Sequence, residues 1–191
     1  MRFHTPYKKV VSLDEAALEV AKWQSQGLKV VITAGVFDIP TYKHAEYLLS
    51  AANFGDKLIV RVDTDDFVLT DKYPEGSVVS WKNRCKHLAH YPYVDLIIPN
   101  IESSNWIEKL HVNTNVYSIT SSPSNLRYKA KLIPRFKRCH TDVIFLDEQF
   151  CIVAKGKVRS LSNYYQKTKL SRKHFSGTII KQEIIRRATK Q

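Results

Sequence analysis

The feature that most limits how this chain folds is a repeated alternation. A short apolar run rich in β-branched residues is followed, again and again, by a stretch whose apolar residues recur at helical spacing. The runs are "LKVVITAGVFDI", "KLIVRVDTD", "YVDLIIP", "NVYSIT" and "DVIFLD"; the helical stretches between the first four are "TYKHAEYLLSAANFGD", "WKNRCKHLAHYP" and "SSNWIEKLH". Strands that alternate with helices at this spacing are βαβ units, because parallel strands need a crossover and a helix supplies it. The chain is therefore expected to be α/β: a Rossmann-like, five-stranded, mainly parallel sheet flanked by helices. A helix over residues 13–25 precedes the first strand, with Ser12 as N-cap, acids in its first turn and a glycine after its end. The helix over 41–56 is expected to bury Ala45, Leu48, Leu49 and Ala52.

In sheets of this kind ligands bind beyond the carboxyl ends of the strands. The first strand enters "TAGVFDIPTYKH", residues 33–44, and passes directly into a helix N-terminus. Free backbone amides and the helix dipole make such a junction an anion site, so a phosphate-bearing ligand is expected there.

At 191 residues and 43% hydrophobic content the chain suits one well-buried domain with an appendage. A core over residues 1–148 and a basic segment over 149–191, an insertion followed by a C-terminal helix packing back on the core, are the expected division. The charge supports it: of a net +12, the last 43 residues carry eleven Lys or Arg against the single acid Glu183. An anionic partner, if met at all, meets the tail. No apolar stretch approaches the roughly 20 residues that span a bilayer, and no signal-like segment opens the chain, so a cytoplasmic protein without membrane partners is expected. Cys85, Cys139 and Cys151 are odd in number and lack CxxC spacing, which argues against disulfides and zinc.

The spaced residues Thr33, Gly35, Phe37, Asp38 and His44 resemble the signature of the cytidylyltransferase-like nucleotidyltransferases, a G-x-F-D turn followed by (H/T)-x-G-H. The likeness is nearest to the adenylyltransferase domain of ADP-heptose synthases, with glycerol-phosphate and ethanolamine-phosphate cytidylyltransferases as cousins. Gly55-Asp56, Asp65, Lys72, Arg84 and Val94-Asp95 continue the series without a gap. Near the C-terminus Ser176, Gly177 and Thr178 stand where the family has a Ser/Thr loop before a helix, though Ser and Thr there also suit simple capping. The chain departs from the pattern at Thr41, in place of the first histidine, and at Lys43, in place of the glycine. That lysine must swing aside, lend its charge to phosphate or fill the pocket.

The resemblance implies transfer of a nucleoside monophosphate, AMP more readily than CMP, from a nucleoside triphosphate to a phosphorylated small molecule such as a sugar or polyol phosphate. Pyrophosphate is released. It implies His44, Thr41 and Lys72 as catalytic groups and Gly35, Val36, Phe37, Asp38, Lys43, Arg84, Ser176, Gly177 and Thr178 around the nucleotide. Mg²⁺ is expected to arrive with the triphosphate, no metal is expected on protein ligands alone, and a homodimer is common in the family. Plainer readings stand beside these: Asp38 closing a turn, Arg84 in an ordinary ion pair, Asp65 capping "DDFVLTDK", and His87 and His90 as structural residues. A different acceptor, such as nicotinamide mononucleotide or a flavin, also suits the fold. The alternative function is a retired nucleotidyltransferase fold that binds nucleic acid through its tail, where lysines and arginines interleave with Tyr164, Tyr165 and Phe175.

Overall fold

The computed structural model describes residues 6–101, 106–110, 116–120, 133–146 and 152–155. Its first regular helix, α1 (Leu13–Ser25), begins with a reciprocal cap: the Ser12 hydroxyl accepts the Glu15 amide at 3.2 Å, and the Ser12 amide donates to Glu15 Oε2 at 2.8 Å. Gly27, at φ +76°, lets the chain turn out of the helix as its amide and that of Leu28 return to the carbonyls of Gln24 and Trp23.

The remaining elements run β1 (Val30–Gly35), α2 (Tyr42–Ala52), β2 (Lys57–Asp63), α3 (Asp65–Asp71), α4 (Trp81–Ala89), β3 (Leu96–Asn100), α5 (Trp106–Leu110), β4 (Val116–Thr120), α6 (Ile133–Arg138), β5 (Asp142–Leu146) and β6 (Ile152–Lys155). Among the described residues the strands form one sheet in the order β3-β2-β1-β4-β5-β6. All neighbours are parallel except β5 and β6, which pair antiparallel. The sheet thus has six strands where five were expected. The sixth lies past residue 148, inside the expected insertion; its four residues border a lysine-rich stretch and are defined by their pairing with β5.

Alternate residues of each strand point to opposite sides, and both sides are covered. Val30, Ile32, Ile59, Leu96 and Ile98 pack with Ala16 and Val20 of α1 and Trp106, Ile107 and Leu110 of α5. Val31, Leu58, Val60, Val62 and Ile97 pack with Leu48 and Ala51 of α2 and Cys85, Leu88 and Ala89 of α4. On α2 the buried residues are Tyr47, Leu48 and Ala51, and Leu49, expected inside, is 48% exposed. Two stripes on this helix satisfy helical spacing; the sheet selects the one whose Tyr47 hydroxyl meets the buried hydroxyl of Thr33. Helix α4 ends at Ala89, with His90 as its C-cap, before the end of the stretch "WKNRCKHLAHYP".

Several residues of the spaced series serve the amino ends of the strands. A Cβ at Gly55 would lie 2.7 Å from the Lys29 carbonyl, so only glycine lets the chain enter β2 at that approach. Asp56 accepts the Lys29 amide at 2.8 Å; Asp95 accepts the Leu58 amide at 2.8 Å and pairs with Lys57 at 2.9 Å. These contacts set the registers of β1, β2 and β3 from the edge opposite the ligand-facing one.

Candidate functional site at the carboxyl edge

From β1 the strand order steps outward to β2 and β3 on one side and to β4, β5 and β6 on the other. The carboxyl end of β1 is therefore the topological switch point, where this class of sheet opens a crevice. The loop between β1 and α2 occupies it. Phe37 turns back at φ +53°, a left-handed conformation unusual for a bulky residue, and its ring folds over Gly35. A Cβ at Gly35 would come within 3.0 Å of Phe37 Cε2, so glycine is required there by the ring above it.

The loop is tied down from a distance. Both Asp38 oxygens accept backbone amides, from Val78 at 3.0 Å and Val79 at 2.8 Å. Asp38 therefore joins two loops forty residues apart. Arg84 is fully buried and donates to the carbonyls of Val79 (2.8 Å) and Val36 (2.5 Å) and to Asp65 Oδ1 (2.7 Å). All three contacts lie within the chain, so the structure places Arg84 behind the loop as its brace. Asp65 does not cap α3; Thr64 does, accepting the Phe67 amide at 3.3 Å. Asp65 instead accepts the Trp81 amide at 2.9 Å and the Ser77 hydroxyl at 2.8 Å, holding the start of α4. Partial burial pushes its carboxyl up, but the Trp81 amide, the Arg84 guanidinium and the Ser77 hydroxyl outweigh this and hold it below the ordinary range.

Thr41 and His44 are brought together as N-cap and third residue of α2. The Thr41 amide donates to His44 Nδ1 at 3.0 Å, and the Thr41 hydroxyl lies 3.1 Å from the same nitrogen. An amide nitrogen only donates, so Nδ1 carries the lone pair and the ring proton sits on Nε2. The ring packs edge-on against Phe37, with centroids 5.7 Å apart. Burial, aided by the charge of His87, lowers the His44 pKa below its ordinary value and keeps the ring neutral near pH 7. The result is a fixed neutral N–H donor in the first turn of a helix. Tyr93 props that turn from behind by donating to the Ala45 carbonyl at 3.0 Å.

Lys43 swings aside. Its ammonium pairs with Glu46 at 3.2 Å and lies 5.2 Å from the Tyr42 ring centroid. Lys72, at the end of α3, pairs at 2.5 Å with Asp63, the last residue of β2. Asp63 is completely buried and escaped the sequence reading. The available signal was an acid closing the apolar run "KLIVRVD", at the ligand-facing end of a parallel strand. Its cross-strand partner Asn100 donates to its Oδ1 and in turn accepts from Arg61, whose guanidinium stacks 3.6 Å from the Trp106 ring centroid.

Ser176, Gly177 and Thr178, and nearly all of the basic tail, lie outside the described residues. Among the described residues no group of three or more His, Cys, Asp or Glu is placed to hold a metal, and no helix is long and apolar enough to cross a membrane. Cys85 and Cys139 are buried, and burial pushes the Cys85 thiol up to about 12.

A family model described as cytidylyltransferase-like matches residues 32–183. Among curated proteins, the bifunctional protein HldE of Vibrio cholerae is 42% identical over 95 residues, covering 50% of this chain and 20% of that protein. Its counterpart in Methylobacillus flagellatus is 37% identical over 90 residues, covering 47% and 18%. The chain thus spans about a fifth of the length of these relatives. Among solved structures, a lipopolysaccharide core biosynthesis protein from Thermoplasma volcanium superposes with a TM-score of 0.54 at 20% identity, over 67% of this chain and 100% of that one. That likeness concerns the fold.

Proposed function

The chain belongs to the cytidylyltransferase-like family, and from that premise we propose that it is a nucleotidyltransferase, moving AMP more readily than CMP from a nucleoside triphosphate to a phosphorylated sugar or polyol. An oxygen of the acceptor phosphate attacks the α-phosphorus; the bond from that phosphorus to the bridging oxygen breaks, and pyrophosphate leaves with the electron pair. No proton need be taken from a phosphate oxygen that is already ionised, so the protein's task is to align the reactants and stabilise the charge that develops.

The observation that carries this reading is His44, a neutral imidazole whose tautomer is set by the Thr41 amide so that Nε2–H points away from the helix cap. In this role Nε2–H donates to the α-phosphate oxygens, the Thr41 hydroxyl adds a donor, and the Lys72 ammonium holds the polyphosphate. Gly35, Val36 and Phe37 form the floor, shaped by Asp38 and Arg84 from outside. Mg²⁺ would come as a companion of the triphosphate, held by its phosphate oxygens and water, since Asp38, Asp63 and Asp65 already engage donors of this chain. It supplies charge neutralisation on the phosphates.

The sugar-phosphate acceptor is favoured because the curated relatives are HldE proteins. The test is calorimetric titration with Mg-ATP and Mg-CTP, followed by pyrophosphate release with a panel of sugar and polyol phosphates. Binding of one triphosphate and turnover with a phosphorylated acceptor are expected. Neither triphosphate binding, together with salt-sensitive binding of an oligonucleotide, would instead favour the nucleic-acid role suggested by the tail's charge.

A further inference from the structure

The Lys72 ammonium does not reach the carboxyl edge alone. Asp63 is the last residue of β2, one beyond Val62, the partner of Gly35, and so lies at the carboxyl edge of the sheet, where its cross-strand partner is Asn100. Its carboxylate is buried while the Lys72 side chain is 37% exposed: the acid lies beneath and the ammonium above it, toward solvent. A bare buried carboxylate in this place would repel a polyphosphate. Here it is never bare. Oδ2 meets Lys72 at 2.5 Å and Oδ1 accepts the Asn100 amide. Asn100 has one possible orientation, since a guanidinium only donates and a carboxylate only accepts: Oδ1 toward Arg61, Nδ2 toward Asp63. Arg61 is fixed in turn against Trp106. In the chain Arg61–Asn100–Asp63–Lys72 the two charged ends differ in exposure: Arg61 is buried and the Lys72 ammonium faces outward.

We infer that Asp63, held by Asn100 and Arg61, is a positioning residue that fixes the Lys72 ammonium at the phosphate-facing edge. The ion pair with the buried Asp63 carboxylate holds the ammonium above it and restricts where its donors can point. The Phe67 ring, 5.9 Å from Nζ, closes one flank. Lys72 is thereby pre-organised, and less side-chain entropy is lost when an anion binds. The inference rests on the nucleotidyltransferase reading only in naming a phosphate as what Lys72 meets.

The test is the acylation rate of each lysine by an amine-directed reagent, read by peptide mass spectrometry with and without inorganic tripolyphosphate, in wild type and in Asp63→Asn. Exposed Lys22 serves as the internal reference. In the wild type Lys72 is expected to react slowly and to be protected by tripolyphosphate. In Asp63→Asn its rate relative to Lys22 is expected to rise several-fold and the protection to weaken, with kcat for nucleotidyl transfer falling more than KM rises. Unchanged Lys72 acylation and protection in a folded Asp63→Asn protein overturns the inference. If that variant does not fold, Asn100→Ser, which loosens Asp63 while leaving its charge, is expected to shift both readouts the same way, and no shift there also overturns it. Absence of tripolyphosphate protection in the wild type sinks the phosphate role of Lys72 itself, while the acylation contrast still reports on the pair.

Discussion

Phe37 covers Gly35: the ring of a residue in left-handed conformation lies so close over the end of β1 that a Cβ at position 35 would stand 3.0 Å from its Cε2. The G-x-F pair is thus a single packing unit, in which the glycine exists to admit the phenyl ring and the ring then supports His44 edge-on. Gly35→Ala is expected to displace the buried ring and with it the floor of the site. The expected cost is about 1–3 kcal/mol of stability, the usual range for overpacking, seen in denaturant unfolding, with loss of triphosphate binding by calorimetry.

Arg84 braces three segments at once, so Arg84→Met leaves the Val36 and Val79 carbonyls without a donor and Asp65 without its cation. Removing one partner of a fully buried pair costs about 3–5 kcal/mol; with the Asp65 side chain about half exposed, about 2–3 kcal/mol is expected. Activity should fall with the loosened loop. Unfolding in urea measures the first, and pyrophosphate release the second.

The depressed pKa of His44 fixes the sign of one pH effect. The unfolded chain takes up the proton near 6.5, whereas the folded chain resists it, so this group favours folding above 6.5 and the stabilisation is lost progressively as pH falls below that value through the lower folded pKa. The melting temperature should therefore drop between pH 7 and 5 by more in the wild type than in His44→Gln. Glutamine at this helix position still accepts the Thr41 amide, which preserves the cap. The same variant lacks the fixed Nε2–H, and its rate is expected to fall about 10²-fold, as when one pre-organised donor is removed.

Lys43 pairs on the surface with Glu46. Exposed pairs of this kind contribute about 0–1 kcal/mol, so Lys43→Gly is expected to change triphosphate affinity little and to lower stability by about 1 kcal/mol through the helix cost of glycine. A large gain in triphosphate affinity in Lys43→Gly would mean that the lysine fills the site in solution.

Much of this protein follows from local pattern. The alternation of apolar runs with helical stretches, the Ser12–Glu15 cap and the Gly27 turn are read within windows of a few residues, and α1 and the first five strands lie where those signals put them. The place of the site is equally local in origin, because a parallel sheet has one ligand-facing edge and the first strand must end there. The pairing of Thr41 with His44 spans three residues and needs only a helix start.

What the tertiary structure decided are choices between equivalent local solutions. On α2 two apolar stripes compete, and the sheet buries the one with Tyr47, whose hydroxyl meets Thr33, and leaves Leu49 exposed. Strand β6 has too few residues to declare itself and is defined by its pairing with β5. The roles of Asp38, Arg84, Asp65 and Asp63 depend on partners 5 to 48 residues away, and a carboxylate or guanidinium looks the same in sequence whether it faces a ligand or the chain's own amides and carbonyls. Sequence carries periodicity and caps because those energies act along the chain; it leaves open the long-range hydrogen bonds of buried charges, because their energy depends on which segments the sheet brings side by side.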